Sequence, residues 1–322
     1  MSGIGVVGLG YWGPNLARNF AELNELAWLR DLDEGLLGRF ADRYPHARVT
    51  RDYDELLGSD VDAVVVATPV PTHFELAKRA LVAGKHVLVE KPPAMRAPEI
   101  DELVGIAAER DLTLMPGHLL LYHPAVRKLR QLIVDGELGD VLCIYGNRQN
   151  LGIVRTNENA LWSLGVHDLS VILYLFDEEP SEAIAHGRDF LTEGVEDVVF
   201  CYLRFPSGKI AHMHLSWLDP HKMRKLTVVG REKMAVFDDM ELERKVTVYE
   251  KAPWKRTDSY GEWQTRSGDI WIPKVPTDEP LKLECQEFLR LVAGEGDRAK
   301  VAEDGARVVR ALDKLTSSLH AG

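Results

Sequence analysis

Gly3-Ile4-Gly5-Val6-Val7-Gly8-Leu9-Gly10-Tyr11-Trp12-Gly13-Pro14-Asn15-Leu16-Ala17-Arg18-Asn19-Phe20 is the stretch on which the fold turns. A short β-branched run ends at Gly8 and a helical pattern begins at Gly13, with Gly8, Gly10 and Gly13 spaced as G-x-G-x-x-G between them. That strand–turn–helix setting is the one in which this spacing marks a dinucleotide loop. Gly8 suits a tight turn, Gly10 lets a pyrophosphate approach the backbone, and Gly13 lets the helix lie close to the sheet. The free N–H groups and positive dipole end of the helix then face the anion. Tyr11 and Trp12 lie inside the loop and are counted with Gly8, Gly10 and Gly13 as cofactor-binding.

Asp31 closes the second β-like run (Leu26 to Arg30) and stands 18 positions after Gly13. That is close to the ~20 at which an acidic side chain meets the ribose hydroxyls. NAD is therefore expected ahead of NADP. The neighbouring Arg30 would suit a 2′-phosphate, but adjacent strand residues point to opposite faces.

Outward from this loop, residues 3 to 118 alternate β-branched runs (LAWLR, DAVVVAT, HVLVE, LTLMPG) with helical patterns such as HFELAKRALVAG and APEIDELVGIAAER. This alternation predicts a doubly wound parallel sheet. After the helical pattern YHPAVRKLRQLIVDGELGD the texture changes. Strand-like runs follow one another (VLCIYGNRQN, SEAIAHGRDF, EDVVFCYLRF, KIAHMHLSW, KLTVVG, EKMAVFDD, KVTVYE), which predicts a large, mostly antiparallel open sheet. The expected class is α/β in two domains, 1–120 for the dinucleotide and 121–322 for substrate and oligomerisation. Residues 252 to 280, rich in Trp, Pro, Gly and Asp, read as a loop, a lid or an oligomer arm. Trp254, Trp263 and Trp271 are expected to fill a loop or a subunit contact. Two helical patterns close the chain.

With 39 Lys and Arg against 50 Asp and Glu, the net charge of -11 argues against a nucleic-acid or anionic-membrane partner. No run of about 18 apolar residues suggests a membrane span. The start MSGIGVVGLG has neither the basic nor the apolar region of a secretory signal, so the expected compartment is the cytoplasm. Cys143, Cys201 and Cys285 are far apart and odd in number, as expected of reduced thiols. His212 and His214 share a strand face, but with no third ligand in view no metal is expected. His118 and His123, near the domain junction, are expected to be structural, with lining of the cleft as the alternative. An open sheet with one apolar face needs cover, so a homodimer or homotetramer pairing sheet to sheet is expected.

Two further segments end strands of the first domain at the edge where open α/β sheets bind ligands. Thr68 and Pro69 follow Ala67 and are expected beside the nicotinamide half of the cofactor, with His73 just beyond them either touching ligand or opening the next helix. Glu90, Lys91 and Pro92 end HVLVE. A lysine there either hydrogen-bonds a reacting hydroxyl and manages its proton or pairs with a carboxylate.

Four blocks, GLGYWGPNLARNF, ATPVPTHFELAKRALVAGKHVLVEKP, HPAVRKLRQLIVDGELGDV and LWSLGVHDLSVILYLF, span nearly the whole chain. In content and order they resemble the Gfo/Idh/MocA family of NAD(P)-dependent sugar oxidoreductases. The resemblance implies an N-terminal Rossmann domain, a C-terminal α/β domain with an open sheet, and a sugar ring held between them over the nicotinamide. It implies that Lys91, in the EKP motif, and His167, in the helix of the second domain, contact the reacting hydroxyl. Glu90 shares the EKP motif and is counted with the cofactor site. Many members carry an acid four residues before that histidine, whereas this chain has Ser163, so the substrate of inositol dehydrogenase-like members does not transfer directly.

The stretch NRQNLGIVRTNENALWSLGVHD is similar to the subgroup acting on UDP-N-acetylglucosamine or its uronate at C3, in which an Arg and an Asn precede the helix. Arg155 and Asn159 match them. Asn147, Arg148 and Asp168 are further candidates to line the substrate site, and Arg155 suits a carboxylate or phosphate because guanidinium binds two oxygens at once. The expected activity is hydride transfer between NAD and a ring secondary alcohol of a nucleotide-linked sugar. A 3-ketosugar reductase of a deoxysugar or antibiotic pathway and an inositol or free-sugar dehydrogenase are the alternatives. A non-catalytic dinucleotide-sensing regulator would be expected to have lost Lys91 or His167.

Overall fold

The computed structural model describes residues 3–152, 154–156, 158–255 and 263–320. Two compact units make up the chain: Met1–Leu119 with Glu279–Arg310, and Leu120–Asp278 with Ala311–Gly322.

The first unit opens with β1 (Ile4–Val7), α1 (Gly13–Glu22), β2 (Leu26–Arg30), α2 (Glu34–Arg43), β3 (Arg48–Thr50), α3 (Tyr53–Leu57) and β4 (Ala63–Val66). It continues with α4 (His73–Val82), β5 (His86–Glu90), α5 (Ala97–Glu109) and β6 (Leu114–Gly117). Among the described residues these strands form one parallel six-stranded sheet in the order β3-β2-β1-β4-β5-β6. Every residue of β1 and β4 is buried, which is why these strands are continuous apolar runs rather than alternating ones. The order reverses between β1 and β4, and ligands of such sheets bind outside the carboxyl ends of the strands at that point. Short side chains start the helices: Asp33 accepts from Leu36 N at 3.0 Å to cap α2, and Asp52 from Asp54 N at 2.9 Å to cap α3.

The second unit contains α6 (Pro124–Val134), β7 (Val141–Gln149), α7 (Val166–Phe176), β8 (Glu182–Arg188), β9 (Val198–Arg204) and β10 (Ile210–Ser216). Then come β11 (Met223–Gly230), β12 (Met234–Asp238), β13 (Val246–Lys255) and β14 (Trp263–Trp271). Its eight described strands run β14-β13-β12-β11-β7-β10-β9-β8, with β7 and β10 parallel and every other neighbour antiparallel. The helix α7, buried nearly all round, lies on one face of this sheet: a Cβ on Gly146 of β7 would sit 3.1 Å from Asp168. On the other face Tyr145 stacks on His212 at 5.1 Å and Phe200 on His214 at 4.4 Å, and Phe200 remains 53% exposed.

The last helices, α8 (Pro280–Val292) and α9 (Arg298–Leu319), differ from the expected division. A second domain running unbroken from 121 to 322 does not hold, because 279–310 belong to the first unit. The physical reason is the apolar stripe Leu281, Cys285, Phe288 and Leu291 on α8, buried with α1, where Phe20 meets Phe288 edge-on at 6.4 Å. Arg18 of α1 pairs with Glu279, just before α8. Gly305 of α9 lies so close to β6 that a Cβ would meet Pro116 Cγ at 2.3 Å.

The expected loop at 252–280 is corrected in part: 252–255 and 263–271 belong to the antiparallel pair of β13 and β14, residues 272–279 form no regular element, and 256–262 lie outside the described residues. Pro253 and Gly268 obscure a stretch whose Thr, Val, Tyr, Ile and Trp residues favour strands. The side chain of Trp254 lies outside the described residues, and Trp263 is exposed. Among the described residues no helix is long and apolar enough to cross a membrane.

Candidate functional site

In the first unit the glycine loop is tightly built. Gly8 has φ +91°, and a Cβ on it would lie 2.7 Å from the Ala67 carbonyl oxygen. A Cβ on Gly13 would lie 1.8 Å from the carbonyl oxygen of Gly8, so only glycine lets α1 start here. Gly10 differs: no heavy atom lies within 4 Å of its Cβ position, leaving open space above the loop.

Asp31 Oδ2 accepts from Leu9 N at 2.6 Å and Oδ1 from Asp33 N at 3.0 Å, which locks the carboxylate beside the loop. Arg30 turns away, donating to the Arg51 carbonyl at 3.2 Å and lying over the Tyr53 ring. A cavity of about 340 Å³ opens beside Gly10, lined by Leu9, Pro14, Leu36, Arg39, Phe40 and Arg43. Residues 36, 39, 40 and 43 were legible as one face of α2 by their spacing, yet sequence reasoning gave them no role. Room above Gly10, the helix start and a fixed carboxylate fit the pyrophosphate and ribose of a dinucleotide.

Tyr11 is 84% exposed, whereas Trp12 turns inward and its indole hydrogen-bonds Glu90. Thr68 Oγ1 and Thr72 Oγ1 are hydrogen-bonded at 2.7 Å, and Pro69 O accepts from Thr72 N at 2.9 Å, which shapes the turn after β4. The buried ring of His73 spans two edge loops, with Nε2 2.7 Å from Thr68 O and Nδ1 2.8 Å from Pro92 O. Both of its nitrogens face main chain, so it ties together the loops after β4 and β5.

Glu90 ends β5 and Lys91 follows it, and the Lys91–Pro92 bond is cis. Lys91 N approaches Glu90 Oε2 at 3.3 Å, while Glu90 Oε1 is buried without a hydrogen-bond partner among the described residues. Burial pushes the Glu90 carboxyl up to about 7 against the opposing pull of Lys91. His118, just past β6, is buried and neutral, its pKa lowered to about 4 by burial and, in smaller part, by the Lys91 charge.

Sequence reasoning missed Glu284. It lies on the α8 stripe with Leu281, Cys285, Phe288 and Leu291, fully buried, with neither carboxylate oxygen hydrogen-bonded among the described residues. Its position three residues after Leu281 and four before Phe288 was the available signal.

In the second unit His167 occupies the first turn of α7, half-buried, with its carbonyl accepting from Ser170 Oγ at 2.8 Å. Ser163 is buried in the π-helical turn Leu161–Gly165 that leads into α7. Asn159 caps that turn: Oδ1 accepts from Trp162 N at 3.1 Å and Nδ2 donates to Glu196 Oε2 at 2.6 Å. Arg155 pairs with Glu158 at 2.9 Å and keeps its guanidinium partly exposed.

Arg148 and Asp168 are buried against each other, Nε and Nη2 both reaching Oδ1 at 2.9 and 2.7 Å. Their charges thus join β7 to α7. Asn147, next in alternation, lies on the opposite sheet face with Tyr145 and Gln149.

The description "Oxidoreductase family, NAD-binding Rossmann fold" matches residues 2–118, and "GFO/IDH/MocA C-terminal domain" matches residues 126–236. The UDP-N-acetylglucosamine 3-dehydrogenase of Acidithiobacillus ferrooxidans is 30% identical over 237 residues, 73% of each chain. Its solved structure superposes with a TM-score of 0.84 over 99% of this chain and 97% of that one, at 26% identity. The myo-inositol 2-dehydrogenase of Thermotoga maritima is 28% identical over 315 residues, 94% of this chain and 91% of the relative. GenD2 from gentamicin A biosynthesis, solved with NAD, gives a TM-score of 0.81 at 25% identity over 99% of this chain and 94% of that one.

Proposed function

The chain belongs to the Gfo/Idh/MocA family of NAD-binding sugar oxidoreductases, and from that premise we propose that it transfers a hydride between NAD and the C3 alcohol of a nucleotide-linked hexose. The observation that carries this reading is the likeness to the UDP-N-acetylglucosamine 3-dehydrogenase along almost the full length of both chains. Arg155 and Asn159 support it at residue level, Arg155 as a bidentate partner for phosphate or carboxylate oxygens. Ser163, in place of an acid, disfavours an inositol substrate. The reading places the enzyme in the cytoplasm.

NAD bound at the glycine loop supplies the hydride-accepting carbon. The protein's own part is orientation and proton handling. The N–H groups at the start of α1 and the Asp31 carboxylate hold pyrophosphate and ribose, with Thr68 and Pro69 shaping the edge toward the nicotinamide. Lys91 at the end of β5 hydrogen-bonds the reacting hydroxyl and stabilises alkoxide character as it develops. His167 is the second proton-handling group. Incubating the purified protein with NAD and a panel of UDP- and other nucleotide-linked hexoses, free hexoses and inositols, and following reduced nicotinamide by absorbance, tests the assignment. Turnover confined to inositols or free sugars would overturn it.

The locked Asp31 carboxylate is expected to make NAD the preferred cofactor, because it would face the roughly -2 charge of a 2′-phosphate. Asp31→Ser should raise NADP use chiefly by lowering its KM. An equal or better kcat/KM with NADP in the unaltered enzyme would sink the preference.

The open face of the second unit's sheet carries Phe200 and Ile210 exposed to solvent, beside the Tyr145–His212 stack. We expect two such faces to cover one another in a homodimer, or in a homotetramer built from it. Light scattering at micromolar concentration reads this directly, and a monomeric mass would contradict it.

A further inference from the structure

The sequence makes Asn159 a candidate substrate contact, yet in the second unit both ends of its side-chain amide are taken. Oδ1 accepts from Trp162 N at 3.1 Å and Nδ2 donates to Glu196 Oε2 at 2.6 Å. Glu196, only 9% exposed, holds the same segment a second time, because its carbonyl accepts from Ala160 N at 2.9 Å. From this anchor the chain enters the π-helical turn Leu161–Gly165 and runs on into α7, whose second residue is His167. π-helical turns of this kind are frequent at functional sites.

The end of α9 closes the anchor from another side. Trp162 Nε1 donates to Thr316 Oγ1 at 2.9 Å, Ala185 N donates to Ser318 Oγ at 3.2 Å, and His320 Nε2 lies 3.5 Å from Glu196 Oε1. The Glu196 carboxylate thus stands between the Asn159 amide and the His320 ring. One residue past His167, Asp168 is gripped by Arg148, so the histidine lies between two anchors along the chain. The bond from Trp162 N asks only for a side-chain oxygen at 159, which aspartate or serine would supply as well. The donor half of Asn159 is the part that this bond leaves unexplained, and it meets a mostly buried carboxylate in a short, charge-assisted hydrogen bond.

We propose that Glu196 is a positioning residue: through the Asn159 amide it sets the turn that delivers His167, and that amide does not touch the sugar. This rests on the role of His167 in the proposed function. An amide that swung away to meet substrate would strip the carboxylate of its hydrogen bond and leave it only the 60% exposed ring of His320. The match of Asn159 to the nucleotide-sugar subgroup then reflects the turn it sets rather than a contact with the ligand.

A reciprocal exchange of donor and acceptor tests this in the full chain. Asn159→Asp keeps the oxygen that Trp162 N needs but turns the donor into a second carboxylate oxygen facing Glu196, so two anions meet. In Asn159→Asp/Glu196→Gln the roles are swapped, and the amide at 196 donates to the carboxylate at 159. With NAD and the panel sugar that turns over, Asn159→Asp is expected to lose about tenfold in kcat, as a small misplacement of His167 would cost, while NAD affinity stays unchanged. The double variant should return to within about threefold of wild type, a rescue that two independent residues cannot give. A double variant no faster than Asn159→Asp, with the loss lying in the sugar KM, would mean that the amide binds substrate and would overturn the proposal.

Hydrogen exchange of residues 159–167 without substrate reads the anchor itself. It should quicken in Asn159→Asp and return to the wild-type rate in the double variant. Unchanged exchange in Asn159→Asp ends the proposal, and exchange that follows the expected pattern while kcat does not move would make the pair merely structural and end it too. If no sugar of the panel turns over, it is the proposed function that fails, and exchange still decides whether Glu196 sets the turn. Should Asn159→Asp not fold, Asn159→Ser keeps the oxygen and drops the donor, and a wild-type kcat in that variant would refute the positioning role.

Discussion

Lys91→Met is expected to leave the affinity for NAD within about twofold of wild type while kcat falls by at least ~10²-fold. Methionine keeps the length and apolar stem of lysine and removes the charge. The separation follows from the proposed placement: the cofactor would be held at Gly8, Gly10, Gly13 and Asp31, which follow β1 and β2, whereas Lys91 follows β5 and would act where alkoxide character develops. His167→Ala should act in the same direction. If the two residues share one proton path, the double variant loses less than the product of the single losses. Fluorescence titration with NAD beside steady-state kcat for the three variants decides this. Near-normal turnover in Lys91→Met would take the lysine out of the chemistry and most of the mechanism with it.

A second large effect is expected at the glycine loop, and it separates fold from ligand. In Gly13→Ala the new methyl would meet the Gly8 carbonyl at 1.8 Å. The turn has to move, breaking the register that brings Leu9 N to Asp31. An overpacking cost of about 1–3 kcal/mol is expected in stability, and NAD affinity should fall by about 10- to 100-fold if that cost is felt in binding. Gly10→Ala meets no atom within 4 Å, so its melting temperature should match wild type while NAD binding still weakens, because the methyl occupies the space left for the pyrophosphate. Thermal unfolding and NAD titration of the pair provide the check. Unchanged NAD affinity in Gly10→Ala would show that the dinucleotide lies elsewhere.

Much of the first unit was legible because parallel strands buried on both faces leave continuous Val, Ile and Leu runs, as in Ala63–Val66. The strand Arg48–Thr50 has three residues and no such run, and only pairing with β2 reveals it. The glycine spacing and Asp31 were readable because their meaning is local. Arg148 and Asp168 were not, since an ion pair between β7 and α7 depends on how the helix lies on the sheet. The same holds for α8: its apolar stripe announces a helix, but which unit it joins is decided by Phe20 and Arg18, some 260 residues away. His73 was readable as a helix opener, and its bridge between Thr68 and Pro92 was not, because it links two turns that meet only in the folded sheet.

The return of residues 279–310 to the unit that begins the chain also bears on biosynthesis. The ribosome delivers the glycine loop well before Glu284, Phe288 and Gly305, with the whole of residues 120–278 in between. At about 5–20 residues per second, the nascent first unit waits on the order of ten seconds or more for the helices that cover Phe20 and Glu90. During that interval it exposes apolar surface of the kind that chaperones bind. Messenger RNAs truncated at codon 120 should therefore yield a product that is degraded or aggregates rather than a free-standing nucleotide-binding module.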